Sequence, residues 1–248
     1  MSRRRTVFAL LCLVATLGRS PVLCQVSRPT APGGDSADEP QPIRVVMLGD
    51  SITKGVRAGV TAEESFSSLV QSELRKRGHA VEVVNVGIGG ERTDQAIKRL
   101  DRDVIARKPH LVVIMYGTND SYVDRAATDS RLSAEDYRTH LTGMITRLKQ
   151  AGARPIVMTE PRWGKAARNG LGENPNVRLA RFMDACRDVA RREKAPLVDH
   201  FAHWTEREVA GVNIAEWTTD QCHPNPAGHK VLADLIVPVI ERLLMAKP

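Results

Sequence analysis

The sequence predicts one α/β domain in which helices cover both faces of a parallel β-sheet. Short apolar runs rich in β-branched residues, such as 45–48 and 110–116, have the length and composition of strands buried on both faces. These runs alternate five times with segments of helical periodicity. Such alternation is typical of parallel strands joined by crossover helices.

Each expected strand is an apolar run. The runs are 45–48, 81–86, 110–116, 154–159 and 196–199. Each expected helix carries apolar residues at three- and four-residue spacing, and residues such as Gly78 and Ser133 mark helix ends. The helices are 62–77, 93–106, 134–150, 178–194 and 226–245.

Two segments are expected to depart from regular structure. Residues 201–219 show only weak periodicity, which indicates irregular or weakly helical structure, and Pro238 is expected to disturb the last helix. The expected fold class is a three-layer α/β/α domain with a flavodoxin-like, five-stranded parallel sheet.

The N-terminal 41 residues are expected to lie outside this domain. Residues 1–24 join three arginines to an apolar run too short to span a bilayer, which indicates a secretory signal peptide. Acylation of Cys24 as a lipoprotein is the alternative, although Leu23 is larger than the residue usual before such a cysteine. Residues 25–41 are rich in Pro, Gly, Ser and Asp and predict a flexible linker. The folded domain is expected at 42–248, in a secreted or periplasmic protein.

Net charge does not indicate a nucleic-acid partner. Residues 1–24 hold four arginines and no acid, so their removal lowers the net charge from +7 to +3, with 32 basic and 29 acidic residues. The remaining basic residues are scattered among acids, as on solvated helix faces. After residue 24 no run is long and apolar enough for a membrane span.

Residues suited to catalysis follow three of the expected strands. Ser51 follows the first strand, a glycine-rich turn at 87–90 the second, and Asn119 the third. Ligands of doubly wound sheets bind at this carboxyl edge. Asp50 and Ser51 are also favoured N-cap residues, so a purely structural interpretation of that segment is an alternative.

A further segment near the C-terminus supplies an acid and a base. Asp220 and His223 are three residues apart, in a loop restrained by Pro224 and Pro226. A serine hydroxyl becomes a good nucleophile when a histidine removes its proton, and a carboxylate orients that histidine. A glycine-turn N–H and an asparagine amide can stabilise the resulting oxyanion.

Four blocks resemble the SGNH hydrolases, also called the GDSL esterase/lipase family. The blocks are Gly49-Asp50-Ser51-Ile52, Asn85 to Gly90, Gly117-Thr118-Asn119-Asp120 and Asp220-Gln221-Cys222-His223-Pro224. They occur in the family's order, and the resemblance extends over residues 45–229.

The resemblance implies a role for each site residue. Ser51 is the expected nucleophile, His223 the general base and Asp220 the residue that orients it. The expected oxyanion hole consists of the N–H groups of Ser51 and Gly90 and the side-chain amide of Asn119. Gly90 is chosen among the glycines because it directly precedes Glu91, where the family often has Gly-Asp. No cofactor and no metal are expected.

The expected function is an exported serine esterase that removes acetyl or other short acyl groups through an acyl-enzyme intermediate. The polar loops at 121–132 and 161–176 favour a small-molecule or saccharide ester over a bulky lipid. A lipase, lysophospholipase or thioesterase of the same family is an alternative, as is a catalytically silent carbohydrate-binding module. The oligomeric state is left open.

Two cysteines follow the predicted signal peptide, Cys186 and Cys222. An oxidising compartment would allow them to pair. Cys186 lies on the apolar face of a predicted helix, however, which indicates a small buried hydrophobe. Buried free thiols are therefore favoured over a disulfide.

Overall fold

The computed structural model describes residues 41–246, which belong to the second of two compact units, Pro40–Pro248. The predicted signal peptide (1–24) and all but the last residue of the predicted linker (25–41) lie outside the described residues, so both stay predictions.

The described residues form a five-stranded, wholly parallel sheet with the strand order β2-β1-β3-β4-β5. The strands are β1 (Ile43–Gly49), β2 (Val81–Asn85), β3 (Leu111–Met115), β4 (Arg154–Met158) and β5 (Leu197–Val198). Met47 of β1 pairs with Asn85 on one side and with Val113 on the other. The direction of strand addition thus reverses between β1 and β3, at the point where doubly wound sheets bind ligands.

Helices cover both faces of the sheet. They are α1 (Ser51–Lys54), α2 (Phe66–Lys76), α3 (Thr93–Asp103), α4 (Ala134–Gln150), α5 (Asn176–Arg192), α6 (His200–Val209) and α7 (Pro226–Met245). Successive strand residues point to opposite faces, so Val46 and Leu48 pack with α3, α4 and α5, whereas Val45 and Met47 pack with α2 and α7. This arrangement confirms the predicted fold class.

Local signals explain most helix ends, and two expectations were wrong. The hydroxyl of Ser65 accepts a hydrogen bond from Ser68 N–H, so α2 begins at Phe66 and not at residue 62. Segment 201–219 includes most of the regular helix α6 and a 3₁₀ helix at Ile214–Trp217. α7 continues through Pro238.

Cys186 and Cys222 are both buried free thiols, which confirms the prediction that favoured them over a disulfide. Cys186 lies within the apolar cluster beneath α5. Burial raises the pKa of its thiol to about 12, so it behaves as an apolar side chain.

Candidate active site

Ser51 lies at the carboxyl edge of the sheet because β1 ends at Gly49 and α1 begins two residues later. The side chain of Asp50 accepts a hydrogen bond from the N–H of Ile52 at 2.8 Å and so caps α1. The structural interpretation of Asp50 is therefore correct, and it fixes the turn that presents Ser51.

Ser51, His223 and Asp220 form a continuous hydrogen-bonded chain. Ser51 Oγ lies 2.9 Å from His223 Nε2. On the other side of the ring, His223 Nδ1 lies 2.8 Å from Asp220 Oδ2 and 3.1 Å from Oδ1. The structure thus brings these three residues together, although Ser51 and His223 are 172 positions apart in the sequence.

The Asp220–His223 loop is held by bonds within itself. Asp220 Oδ1 accepts hydrogen bonds from the backbone N–H of His223 at 2.8 Å and of Cys222 at 3.2 Å. Thr219 N–H donates to the carbonyl of His223 at 2.9 Å. Partial burial acts to raise the pKa of Asp220, but the hydrogen bonds and charge from His223 outweigh it and lower this pKa to about 2. Asp220 is therefore ionised at neutral pH.

Gln221, in the middle of this loop, has a φ of 69°, in the left-handed region that side chains other than glycine disfavour. The loop after β4 holds it there. Gln221 carbonyl accepts from Gly164 N–H at 2.7 Å, and Gln221 Oε1 accepts from Ala166 N–H at 3.3 Å.

Arg57 is a neighbour of the acid that sequence reasoning missed. Its Nη2 donates to Asp220 Oδ2 at 2.7 Å, on the same oxygen that faces His223. Arg57 comes from the loop after α1, and no local pattern indicates that this loop reaches residue 220.

The glycine turn at 87–90 lies next to Ser51. Gly87 must be glycine, because an added Cβ would lie 2.4 Å from the backbone nitrogen of Lys54. Gly90 is exposed with a φ of 77°, a conformation that favours glycine. Within residues 41–246, its N–H group donates to no protein acceptor.

Asn119 follows β3 and is hydrogen-bonded at both ends of its amide. Its Nδ2 donates to Asp50 Oδ2 at 2.8 Å and to the carbonyl of Glu91 at 3.3 Å. Its Oδ1 accepts from Arg131 Nη1 at 3.3 Å. The amide therefore lies between the Asp50 turn and the turn that contains Gly90.

A buried ionic network holds the residues on both sides of the Gly90 turn. The side chains of Glu91 and Arg99 are only 5% and 8% exposed and form an ion pair. Arg99 Nη2 also donates to the carbonyl of Val86 at 2.8 Å, and the hydroxyl of Tyr116 donates to Glu91 Oε2 at 2.6 Å. The network thus ties both sides of the turn to α3 and β3.

Three buried carboxyl groups lie behind the site: Asp50, Asp120 and Glu160. Asp120 accepts hydrogen bonds from the backbone N–H and the hydroxyl of Thr93, whereas Glu160 Oε1 and Oε2 find no partner in the described part of the chain. Burial raises the pKa of Glu160 well above its ordinary value, and the charges of Asp50 and Asp120 add to the effect. Burial likewise raises the pKa of Asp50. The hydrogen bonds that Asp50 accepts from Ile52 N–H and from Asn119 Nδ2 act on its pKa in the opposite direction.

The remaining aromatic residues have mostly structural contacts. Trp217 packs edge-on against buried Trp204, with 5.1 Å between the ring centroids. Trp163 stacks on Tyr122, with 5.7 Å between theirs. His229 is buried and its Nδ1 accepts from Phe66 N–H at 3.3 Å, as expected of a structural residue.

Among residues 41–246, no group of three or more His, Cys, Asp or Glu side chains could hold a metal ion. None of the helices in this range has the length and apolarity needed to cross a bilayer.

The sequence profile of the GDSL-like lipase/acylhydrolase family matches residues 47–231. The chain belongs to this family. Similar proteins include the uncharacterized lipoprotein YqeF of Bacillus subtilis (strain 168), 31% identical over 66% of this chain and 73% of that protein. The acetylxylan esterase of Geobacillus stearothermophilus is 27% identical over 77% of this chain and 90% of that protein. The crystal structure of the lipase/acylhydrolase from Enterococcus faecalis superposes with a TM-score of 0.66 at 25% identity, over 81% of this chain and 96% of that one.

This GDSL-like acylhydrolase is therefore a carboxylic-ester hydrolase, as its sequence predicted. The predicted residues Ser51, Gly90, Asn119, Asp220 and His223 lie at one edge of its sheet. Arg57, Glu91, Arg99 and Arg131 are further residues at this edge to which sequence reasoning gave no role.

Proposed function

We propose that this chain is an exported serine esterase in which Ser51 is the nucleophile, His223 the general base and Asp220 the residue that orients His223. The observation that carries the proposal is the 2.9 Å separation of Ser51 Oγ and His223 Nε2, with Asp220 Oδ2 2.8 Å from the opposite ring nitrogen. A base must lie within hydrogen-bond reach of the proton that it removes.

The proposed reaction has two halves. Nε2 of His223 takes the hydroxyl proton of Ser51 while Oγ attacks the ester carbonyl carbon. The tetrahedral intermediate then expels the alcohol, which receives that proton from His223, and the acyl group stays on Oγ. A water molecule attacks the acyl-enzyme by the same steps and releases the carboxylic acid. The ionised Asp220 stabilises the imidazolium in both halves.

The proposed oxyanion hole consists of Ser51 N–H, Gly90 N–H and Asn119 Nδ2. In the described residues Gly90 N–H has no protein acceptor, so it is available to the oxyanion. The 3.3 Å bond from Asn119 Nδ2 to the Glu91 carbonyl is long, and we propose that the oxyanion becomes the second acceptor of this hydrogen.

The proposed substrate is an ester of a short acyl group, acetyl above all, on a carbohydrate-like alcohol. Two observations support this choice. The loops after β3 and β4 are rich in charged residues, including Arg125, Arg131 and Arg168. A relative that matches this chain over 90% of its own length is named acetylxylan esterase. Export rests on residues 1–24, and the relative named as a lipoprotein keeps acylation at Cys24 as the alternative.

A substrate panel tests the proposal. We expect p-nitrophenyl acetate and an acetylated xylo-oligosaccharide to be hydrolysed, and p-nitrophenyl palmitate and an acyl-thioester to be poor substrates. A preference for palmitate would support a lipase, and a preference for the thioester a thioesterase. In parallel, a fluorophosphonate should add to Ser51 in the wild type and not in Ser51→Ala, as measured by peptide mass spectrometry. Labelling of another residue would contradict the assigned nucleophile.

A further inference from the structure

The Asn119 side chain can serve an oxyanion only in one of the two orientations of its amide. The oxygen and nitrogen ends of a primary amide are nearly identical in shape, so hydrogen bonds must select the orientation. On the nitrogen side, Nδ2 donates to Asp50 Oδ2. This side selects the orientation weakly, because the second bond of Nδ2, to the Glu91 carbonyl, is long at 3.3 Å. A buried carboxyl group such as Asp50 also becomes a donor when it gains a proton and could then bond to the oxygen of a flipped amide.

Arg131 faces the oxygen end of the same amide, with Nη1 3.3 Å from Asn119 Oδ1. A guanidinium can only donate hydrogen bonds. It would therefore repel the NH₂ group of a flipped Asn119, whatever the protonation state of Asp50. Donation to Oδ1 also polarises the amide and strengthens its N–H groups as donors.

The guanidinium of Arg131 is itself held in place. Asp124 accepts two hydrogen bonds from Arg131, from Nε at 2.8 Å and from Nη2 at 2.6 Å. Such a bidentate pair fixes the guanidinium plane. The ring of Tyr122 lies beneath it, with Cζ 5.1 Å from the ring centroid, and Trp163 stacks on that ring. The side chain of Arg131 is only 29% exposed.

We propose that Arg131 is a positioning residue that fixes the Asn119 amide with Nδ2 toward the oxyanion. The inference rests on the proposed function, in which Asn119 is an oxyanion donor. Arg131 acts through Asn119, so its removal should lower kcat and leave KM nearly unchanged.

A double-mutant cycle tests this inference. We expect Arg131→Met to lower kcat for p-nitrophenyl acetate by about 10-fold, less than the loss of the donor itself, with KM changed less than about 2-fold. In the Asn119→Ala background, the same change should alter kcat by less than about 2-fold, because the group through which Arg131 acts is gone. Arg131→Lys, which keeps a donor, should recover part of kcat.

Two controls separate positioning from general damage. Arg102 lies on α3, outside the loops around the site, and is 79% exposed, so the same substitution there, Arg102→Met, should leave kcat and KM as in the wild type. Asp124→Asn keeps Arg131 and weakens its bidentate pair, and it should lower kcat less than Arg131→Met. If circular dichroism shows that Arg131→Met does not fold, Asp124→Asn tests the positioning role in its place.

The outcomes distinguish this inference from the function on which it rests. Equal losses from Arg131→Met in the wild-type and Asn119→Ala backgrounds would overturn the role of Arg131 and leave the proposed catalytic residues intact. A rise in KM alone would show that Arg131 binds substrate. An Asn119→Ala variant with wild-type kcat would overturn the oxyanion role of Asn119 and this inference with it, whereas the fluorophosphonate labelling of Ser51 would stand.

Discussion

The hydroxyl of Ser51 lies 2.9 Å from Nε2 of His223, although 172 positions separate the two residues in the sequence. Ser51 is placed by the end of β1, and His223 by the loop between the 3₁₀ helix Ile214–Trp217 and α7. This geometry suits proton transfer between the two groups, and activity should depend on both of them together.

Ser51→Ala and His223→Ala should each abolish nearly all esterase activity, with losses in kcat on the order of 10⁶-fold, because residues that act as a unit fail as a unit. Asp220→Asn should lose less, since part of the positioning of His223 survives. The measurement is hydrolysis of p-nitrophenyl acetate, with circular dichroism to verify folding. Wild-type turnover in His223→Ala would show that the Asp220–His223 loop is not catalytic.

Asn119→Ala should lower kcat by roughly 10²–10³-fold with little change in KM, as expected for one oxyanion donor. The physical reason is that the amide bonds to charge that develops only during the reaction. Steady-state kinetics with p-nitrophenyl acetate separate the two parameters. If only KM rose, Asn119 would be a ground-state binding residue.

Arg99→Met should destabilise the fold by about 3–5 kcal/mol, because it leaves the carboxylate of Glu91 buried without its cation. The aliphatic part of the side chain is retained, so the loss reports the charge. Urea unfolding measures the change. The matched control is Arg102→Met one position before Asp103, where the arginine is 79% exposed and no change is expected. A stable Arg99→Met variant would mean that Tyr116 alone satisfies Glu91.

The wild type should lose stability as the pH rises, and Glu160→Gln should remove this pH dependence. The pKa of Glu160 is raised in the folded state, mainly by burial, so folding retains a proton that the unfolded chain releases. Protonated Glu160 contributes its full stabilisation below the ordinary pKa of 4.5. This stabilisation is lost as the pH rises through the raised pKa of the folded state. Urea unfolding between pH 5 and pH 9 should therefore give a flatter profile for Glu160→Gln. The exposed Glu63→Gln is the control and should follow the wild type.

His200→Leu should act at the opposite end of the pH scale. Burial lowers the pKa of His200 from 6.5 to about 3, and both ring nitrogens lack a partner within the described residues. The neutral ring therefore contributes stability above pH 6.5 that is lost as the pH falls toward 3. The variant should match or exceed the wild type at pH 7, and its advantage should widen at pH 5. His203→Gln, on the same helix and only half-buried, is the comparison; an equal effect there would contradict the assignment to His200.

The expected sheet followed from local patterns. A strand buried on both faces needs an unbroken apolar run, and each of the five runs became a strand in the order of a doubly wound sheet. α6 was not predicted as a regular helix, because its two fully buried residues are His200 and Trp204 and a histidine does not count toward an apolar pattern. The start of α2 was placed too early for a different reason: its capping residue, Ser65, is one of several polar residues in that segment.

The site residues could be assigned because their types and order resemble a family pattern. Their supporting contacts could not. Arg57 and Arg131 reach Asp220 and Asn119 from loops, and loop placement is decided by the whole fold. The Arg99–Glu91 pair was missed because charged side chains are usually solvated, and charge alone does not distinguish a buried pair from an exposed one.

The pairing of Thr218 with Pro224 closes the loop that carries Asp220 and His223, and the chain then continues directly into α7. α7 packs against α2, which begins at Phe66, 15 residues after Ser51. Because synthesis proceeds from the N-terminus, Ser51 is made long before His223, the base that would activate it. With the roles proposed above, the chain gains hydrolytic capacity only when α7 packs against α2 and brings His223 to Ser51.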